Sequence, residues 1–326
     1  SSSFFMIQLS DPQFGLEHQN VQWDAEEAML NLSIRLINRL MPQLVVLTGD
    51  LQNFIPPSAD ASWPMPRPSG PHEAHPGADQ AAAVAASLSS LDPSIPIRAT
   101  IPGNHDIGEE PTVASLGRFA SLWGEDHARF EQSGVTFLAL NSQLYFNASK
   151  PGVAELAEAQ TRWLSLQLDD AAERGASGIV LLSHIPPFLT SASEPAGWAN
   201  WPSAAREQVL TMTQGKPVPP SLIVNGHFHS SVDGVTSTAY GRGTALEVTT
   251  SSAVGCAILW NGTAPGVPLP HATSASVPSP AGQSTLPAAE HSLVFALRAR
   301  ATLLSAFRAC FFWSFFAFAA FFRHSM

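Results

Sequence analysis

Five short polar blocks, each closing an apolar run, constrain this chain more tightly than any other feature in it. They are Asp11-Pro12-Gln13, Gly49-Asp50, Gly103-Asn104-His105-Asp106, Ser183-His184 and Gly226-His227-Phe228-His229. The runs before them are Phe4 to Leu9, Leu44 to Thr48, Ile95 to Ile101, Ile179 to Leu182 and Leu222 to Val224. Short apolar runs bounded by turn residues read as buried strands. Strands buried on both faces belong to sheets covered by helices, an α/β architecture. In such folds the strand ends open into one crevice, so the five blocks are expected to converge there.

The text between the blocks alternates between helix and strand patterns. Asp24-x-x-Glu27 resembles a capping box, and Met29, Leu32, Leu36 and Leu40 behind it mark a helical apolar face. Pro42 stops that helix. Residues 55–79 are rich in proline and without apolar periodicity, which reads as a surface loop, and an Ala-rich helix follows at about 78–90. Ser133-Gly134 lies between Ala128-Arg129-Phe130 and the run Val135 to Leu140, which predicts a hairpin. A long helix is expected at about 153–173, with Leu156, Trp163, Leu166 and Leu168 on or near its buried side. Strands near 235–240 and 243–250 are expected to pair antiparallel.

Taken singly, the blocks differ in force. Asp11-Pro12 and Gly49-Asp50 are ordinary turn dipeptides, and Ser183-His184 alone is ambiguous. Gly103-Asn104-His105-Asp106 is more specific, because a polar triplet directly after a buried strand is costly unless it finds partners. Asp11 and Gln13 lie two apart on one face, and so do His227 and His229. Together, carboxylate, amide and imidazole at strand ends describe a two-metal centre suited to hydrolysing phosphate esters.

On these blocks the chain resembles the calcineurin-like metallophosphoesterase superfamily, whose pattern is D-x-H, G-D, G-N-H-D/E, H and G-H-x-H. The resemblance covers about residues 4–256 and implies a four-layer αββα sandwich with a dinuclear metal site at the strand ends. Gln13 stands where that family usually has His. Gln there, with Ser10 to Gly15, Leu140-Asn141-Ser142-Gln143, Tyr145-Phe146, Asn200-Trp201-Pro202 and Arg206, is similar to a branch described as serine/threonine phosphatases. By resemblance, Asp11, Gln13, Asp50 and His229 hold one metal, and Asp50, Asn104, His184 and His227 the second. The two ions, Mn, Mg, Fe or Zn, would lie about 3.5–4 Å apart and direct in-line attack by a bridging hydroxide. His105 is the expected proton donor to the leaving alkoxide, oriented by Asp106. No Tyr stands near the second block, against an Fe(III) charge-transfer site. The loop at 55–79 and the segment 189–206, with Trp198, Trp201 and Arg206, are expected to shape the substrate cleft.

The implied substrate is a phosphorylated one, a phosphoprotein. A phosphodiesterase on nucleotides or lipid head groups is the alternative within the enzyme class, and a non-catalytic, membrane-tethered metal scaffold the alternative outside it. A net charge of −10 argues against broad nucleic-acid binding. Cys256 and Cys310 are the only cysteines, which suits a reducing, cytoplasmic compartment, although sequons at Asn147 and Asn261 point weakly the other way. The chain begins at Ser1 and enters a strand almost at once, as a fragment would.

The domain is expected to occupy residues 1–260, with 261–289 as an uncharged Pro/Ser/Ala-rich linker and 290–326 as a hydrophobic tail. The aromatic run Phe311 to Phe322 is shorter than the ~20 residues a membrane span needs. It reads as a tail anchor or interfacial helix, a gene-model artefact, or a packed core helix. Because the chain turns into the linker after Gly255-Cys256, the second sheet is expected to be incomplete.

Overall fold

The apolar runs pair into two sheets. The computed structural model describes residues 4–55, 70–229, 235–236, 239–240, 245–250 and 318–322. In chain order its elements begin with β1 (Phe4–Leu9), α1 (Asp24–Leu40), β2 (Leu44–Thr48), α2 (Pro76–Leu88) and β3 (Ile97–Ile101). There follow α3 (Asn104–Ile107), α4 (Val113–Trp123), β4 (Ala128–Gln132), β5 (Val135–Ala139) and α5 (Gln143–Phe146). Then come α6 (Val153–Glu173), β6 (Gly178–Leu182), α7 (Ser203–Gln214) and β7 (Leu222–Asn225). The last are β8 (Val235–Thr236), β9 (Ala239–Tyr240), β10 (Ala245–Thr250) and β11 (Phe318–Phe322). All belong to one unit, Ser1–Cys256 with Phe315–Met326.

The first sheet has the order β11-β1-β2-β3, with β1, β2 and β3 parallel and β11 antiparallel on β1. The second runs β4-β5-β6-β7-β10-β8, with β9 also paired to β10. In it β5, β6, β7 and β10 are parallel, while β4, β8 and β9 run against their neighbours. Parallel neighbours need crossover connections, and α1 and α2 supply them in the first sheet.

Alternation along the strands builds four layers. Met6, Leu44 and Val46 of the first sheet meet Phe137, Val180, Leu182 and Val224 of the second. Phe4 sits edge-on to Phe137 at 6.1 Å, and Phe130 stacks on Phe137 at 4.7 Å. The opposite faces are covered too: Ile7, Leu9, Val45 and Leu47 lie against Leu30, Ile34, Ile37 and Val84 of α1 and α2. Leu138, Ile179, Leu181 and Ile223 lie against Leu164, Leu168, Val209 and Leu210 of α6 and α7. Burial on both faces is why these strands read as unbroken apolar runs. The fold is an αββα sandwich.

Several local expectations are corrected. Trp23, not Asp24, precedes α1, and no side chain caps it. The buried face of α1 is Glu26, Leu30, Ser33, Ile34 and Ile37, while Leu40 is 56% exposed. On α6, Leu168 is buried as expected, but Leu156 and Leu166 are exposed. The loop expected at 55–79 lies mostly outside the described residues, as does the linker at 261–289. Of the hydrophobic tail, only Phe318–Phe322 is described, as a strand whose register sets Phe322 opposite Phe4. Among the described residues no helix is long and apolar enough to cross a membrane.

Candidate metal centre

The first block is laced to the second by main-chain hydrogen bonds. The N–H of Asp11 donates to the Gly49 carbonyl and that of Gln13 to the Asp50 carbonyl, each at 2.9 Å. Lacing turns to turns forces unusual backbone. Asp11, Gln13, Asp50, His227 and His229 all have positive φ, between 40° and 70°. A left-handed conformation costs a non-glycine residue on the order of 1–3 kcal/mol and persists only where the surroundings impose it. Gly49 carries no such cost at φ 92°, and a Cβ there would stand 2.7 Å from His184 Nδ1.

The two sheets meet at the same place. Gln8 Nε2 of β1 donates to Thr48 Oγ1 of β2 at 2.7 Å and to the carbonyl of Asn225, at the end of β7, at 3.1 Å. His184, fully buried, donates from Nδ1 to the Thr48 carbonyl at 2.8 Å. Its Nε2 is thereby left to face Asp50 Oδ2 and Asn104 Oδ1, both at 3.2 Å. His227 donates from Nε2 to the Trp198 carbonyl at 2.9 Å, which leaves its Nδ1 free of that bond. His229 Nε2 lies 3.0 Å from Asp11 Oδ1.

Two clusters of ligating atoms result, Asp50 with His184 and His227, and Asp11 with Asp50 and His229. Within each, the atoms lie inside 4.8 Å of one another. Asp50 is common to both. Gln13 and Asn104 adjoin them: Gln13 is bonded through its N–H to Asp50, and Asn104 lies on His184. The Gln13 Oε1 atom is buried and has no hydrogen-bond partner. A buried acceptor left unpaired, on the turn that also carries Asp11, fits a cation.

Charge points the same way. Burial opposes ionisation of Asp50, yet His184 and His105 outweigh it and hold the carboxyl well below the usual range. Burial likewise opposes Asp11, whose pKa is lowered by His229 and His184. Against its own burial, His184 is lifted to about 9 by Asp50 and Asp11. Burial and the neighbouring His184 push His227 down to about 4. Two buried carboxylates thus draw positive charge into the centre, which a proton or a cation can supply.

His105 stands at the rim. Its N–H donates to Asp50 Oδ1 at 2.8 Å, and its Nδ1 meets the Asn53 carbonyl at 2.6 Å. The group that meets its ring is the Asn53 carbonyl, while Asp106 bonds elsewhere. Asp106 accepts from the N–H groups of Leu51, Gln52 and Gly103, clamping the second and third blocks together. Burial and the Asp50 charge raise its carboxyl to about 7.

The segment 189–206 contributes unevenly. Trp198 is 65% exposed beside His227, with ring centroids 5.3 Å apart. Trp201 and Arg206 are buried instead: Trp201 Nε1 donates to the Ile185 carbonyl at 2.8 Å, and Arg206 to the carbonyls of Pro187 and Glu194. They brace the turn after His184 rather than line a cleft. The carbonyls of Thr48, Asn53 and Trp198 left no trace in the sequence, because every residue has one. Asn53 left a faint one, as a polar residue between the apolar Leu51 and Phe54.

Known proteins resemble this chain in sequence and in fold. The sequence model of the calcineurin-like phosphoesterase family matches residues 7–231. The serine/threonine-protein phosphatase CPPED1 of Danio rerio is 30% identical over 267 residues, covering 78% of this chain and 77% of that protein. The Homo sapiens protein of the same name is 30% identical over 265 residues, covering 78% and 76%. Among solved structures, a dimetal phosphatase from Danio rerio superposes with TM-score 0.55 at 13% identity, covering 77% of this chain and 88% of that one. A purple acid phosphatase from yellow lupin seeds does so with TM-score 0.52 at 12% identity, covering 78% and 44%. Both likenesses are of fold.

Proposed function

The chain belongs to the calcineurin-like phosphoesterase family and is a hydrolase of phosphate esters; from that premise we propose that it is a two-metal phosphomonoesterase acting on phosphoserine and phosphothreonine in proteins. One observation carries the reading: two acid–imidazole clusters share Asp50, and His105 adjoins them. Asp11, Gln13, Asp50 and His229 would hold one divalent cation, and Asp50, Asn104, His184 and His227 the other. When bound, such a pair lowers the pKa of water and neutralises charge on the transferring phosphoryl group. The neutral amide of Gln13 favours a hard ion such as Mn²⁺ or Mg²⁺ at the first position.

The protein's own groups do the rest. Thr48 and Trp198 carbonyls fix which nitrogen of His184 and His227 faces inward, the orienting role that outer partners play at metal sites. The Asn53 carbonyl holds the Nδ1 proton of His105, so Nε2 is the atom that hands a proton to the leaving alkoxide. Trp198 offers an exposed apolar face at the rim, suited to a peptide flanking the phosphate. The name borne by the Danio rerio and Homo sapiens relatives supports the Ser/Thr substrate class.

The test is hydrolysis with added Mn²⁺ or Mg²⁺ over a panel of phosphoserine and phosphothreonine peptides, nucleotide diesters and lipid head-group esters. Peptides should be turned over best, and Asp50→Asn should abolish turnover with loss of bound metal. Preference for the diesters would overturn the substrate class. Undiminished activity in Asp50→Asn would overturn the shared-carboxylate centre.

A further inference from the structure

Gln13 poses a chemical problem that an imidazole would not. A primary amide is ambivalent, since its oxygen can ligate a cation while its NH₂ end repels one. Something must set which end faces the centre. Three further buried amides form a hydrogen-bonded chain that ends on Gln13, and its polarity begins in the main chain.

Gln80 of α2 is fully buried, and its Oε1 accepts from the N–H groups of Asn53 at 3.2 Å and Phe54 at 2.9 Å. Main-chain N–H groups only donate, so that end of Gln80 must be oxygen. Its Nε2 then donates to Asn20 Oδ1 at 3.0 Å. The same oxygen accepts from Asn53 Nδ2 at 2.9 Å. Asn53 Oδ1 is thereby turned to accept from Gln13 Nε2, at 3.4 Å. Each step forces the next, and the last leaves Gln13 Oε1 buried with no partner in the protein. A buried acceptor is costly to leave unpaired, so the arrangement favours an occupant that accepts the lone pair. Gly15 makes room for the chain: its φ is +101°, and a Cβ there would collide with Gln80 Nε2.

We propose that Gln80, Asn20 and Asn53 form an amide relay that turns the Gln13 carbonyl oxygen toward the Asp11–Asp50–His229 cluster as a ligand for a hard divalent cation. It rests on the metal reading above and deepens it. Asn53 is the positioning residue that joins the two halves of the site. Its side chain orients Gln13 while its carbonyl orients His105.

The relay is tested by Mn²⁺ titration calorimetry on the full chain as wild type, Asn53→Leu, Gln13→His and the double variant. Wild type should bind two ions, and Asn53→Leu should weaken one of the two sites about 10-fold or more, as loss of an outer partner does. In the Gln13→His background Asn53→Leu should change little, because an imidazole needs no relay to decide oxygen against nitrogen. If Asn53→Leu fails to give a native melt, Asn53→Ser, too short to reach Gln13, carries the same expectation. Equal losses in the two backgrounds, or no loss in either, would overturn the relay while leaving two-site binding intact. A wild type that binds no Mn²⁺ would instead overturn the metal reading, and the relay with it.

Discussion

His105 is held at two points, its N–H on Asp50 and its Nδ1 on the Asn53 carbonyl. In the proposed reaction this leaves Nε2 to serve the leaving group, with the imidazole outside the metal set. His105→Ala should therefore slow turnover of alkyl phosphates by ~10²–10⁴-fold, the usual worth of a positioned acid. Aryl phosphates, whose leaving groups need less protonation, should lose much less, and Mn²⁺ binding should be unchanged. Equal losses on both substrates would remove His105 as the acid. At this scale the side chains that gather were legible, because few residue types donate to metals and the five blocks held them. The carbonyls of Thr48, Asn53 and Trp198 were not, because a main-chain oxygen leaves no letter in the sequence.

Elements repeat the contrast. β1, β2, β5, β6 and β7 were legible as apolar runs, since burial on both faces permits little else. The face of α1 was misread because two apolar stripes occur on it, and only the sheet beneath decides between Leu30-Ile34-Ile37 and Met29-Leu32-Leu36. Within the loop after β6, one carboxylate gathers several donors. Glu194 accepts from the N–H groups of Leu189, Thr190 and Ser191, from the Thr190 hydroxyl and from Asn200. Burial opposes its ionisation, but these donors outweigh it and hold the carboxyl down at about 2. A depressed carboxyl stabilises while ionised. Its contribution is complete above the ordinary 4.5 and is lost as pH falls toward about 2. Amide-exchange protection at Leu189, Thr190 and Ser191 should fall across that window. Glu194→Gln should lower it already at neutral pH and flatten the dependence. Protection that ignores both changes would show that other contacts hold the loop.

Across the whole molecule, the centre lies where two sheets join, so its geometry depends on their packing. Phe137 is fully buried between them, against Phe4 and Phe130. Phe137→Ala should cost about 3–5 kcal/mol in denaturant unfolding, as large-to-small changes in a close-packed core do. A change under about 1 kcal/mol, well below that range, would mean that the sheets do not rely on this contact. The open edge of β1 is covered by β11, from a segment whose aromatic density suggested an anchor or a helix. Local pattern could not foresee this, because pairing partners distant in the chain are chosen by an unfilled sheet edge, not by residues nearby. The apolar strand runs and the family's motifs were written in short-range pattern, since burial and metal chemistry each restrict residue type. Which nitrogen of His184 and His227 meets a main-chain carbonyl, that His105 Nδ1 meets the Asn53 carbonyl while Asp106 accepts main-chain N–H groups, and which end of Gln13 meets Asn53 were decided by contacts between distant segments. Hydrogen-bond direction is a property of paired groups, and it exists only once folding has paired them.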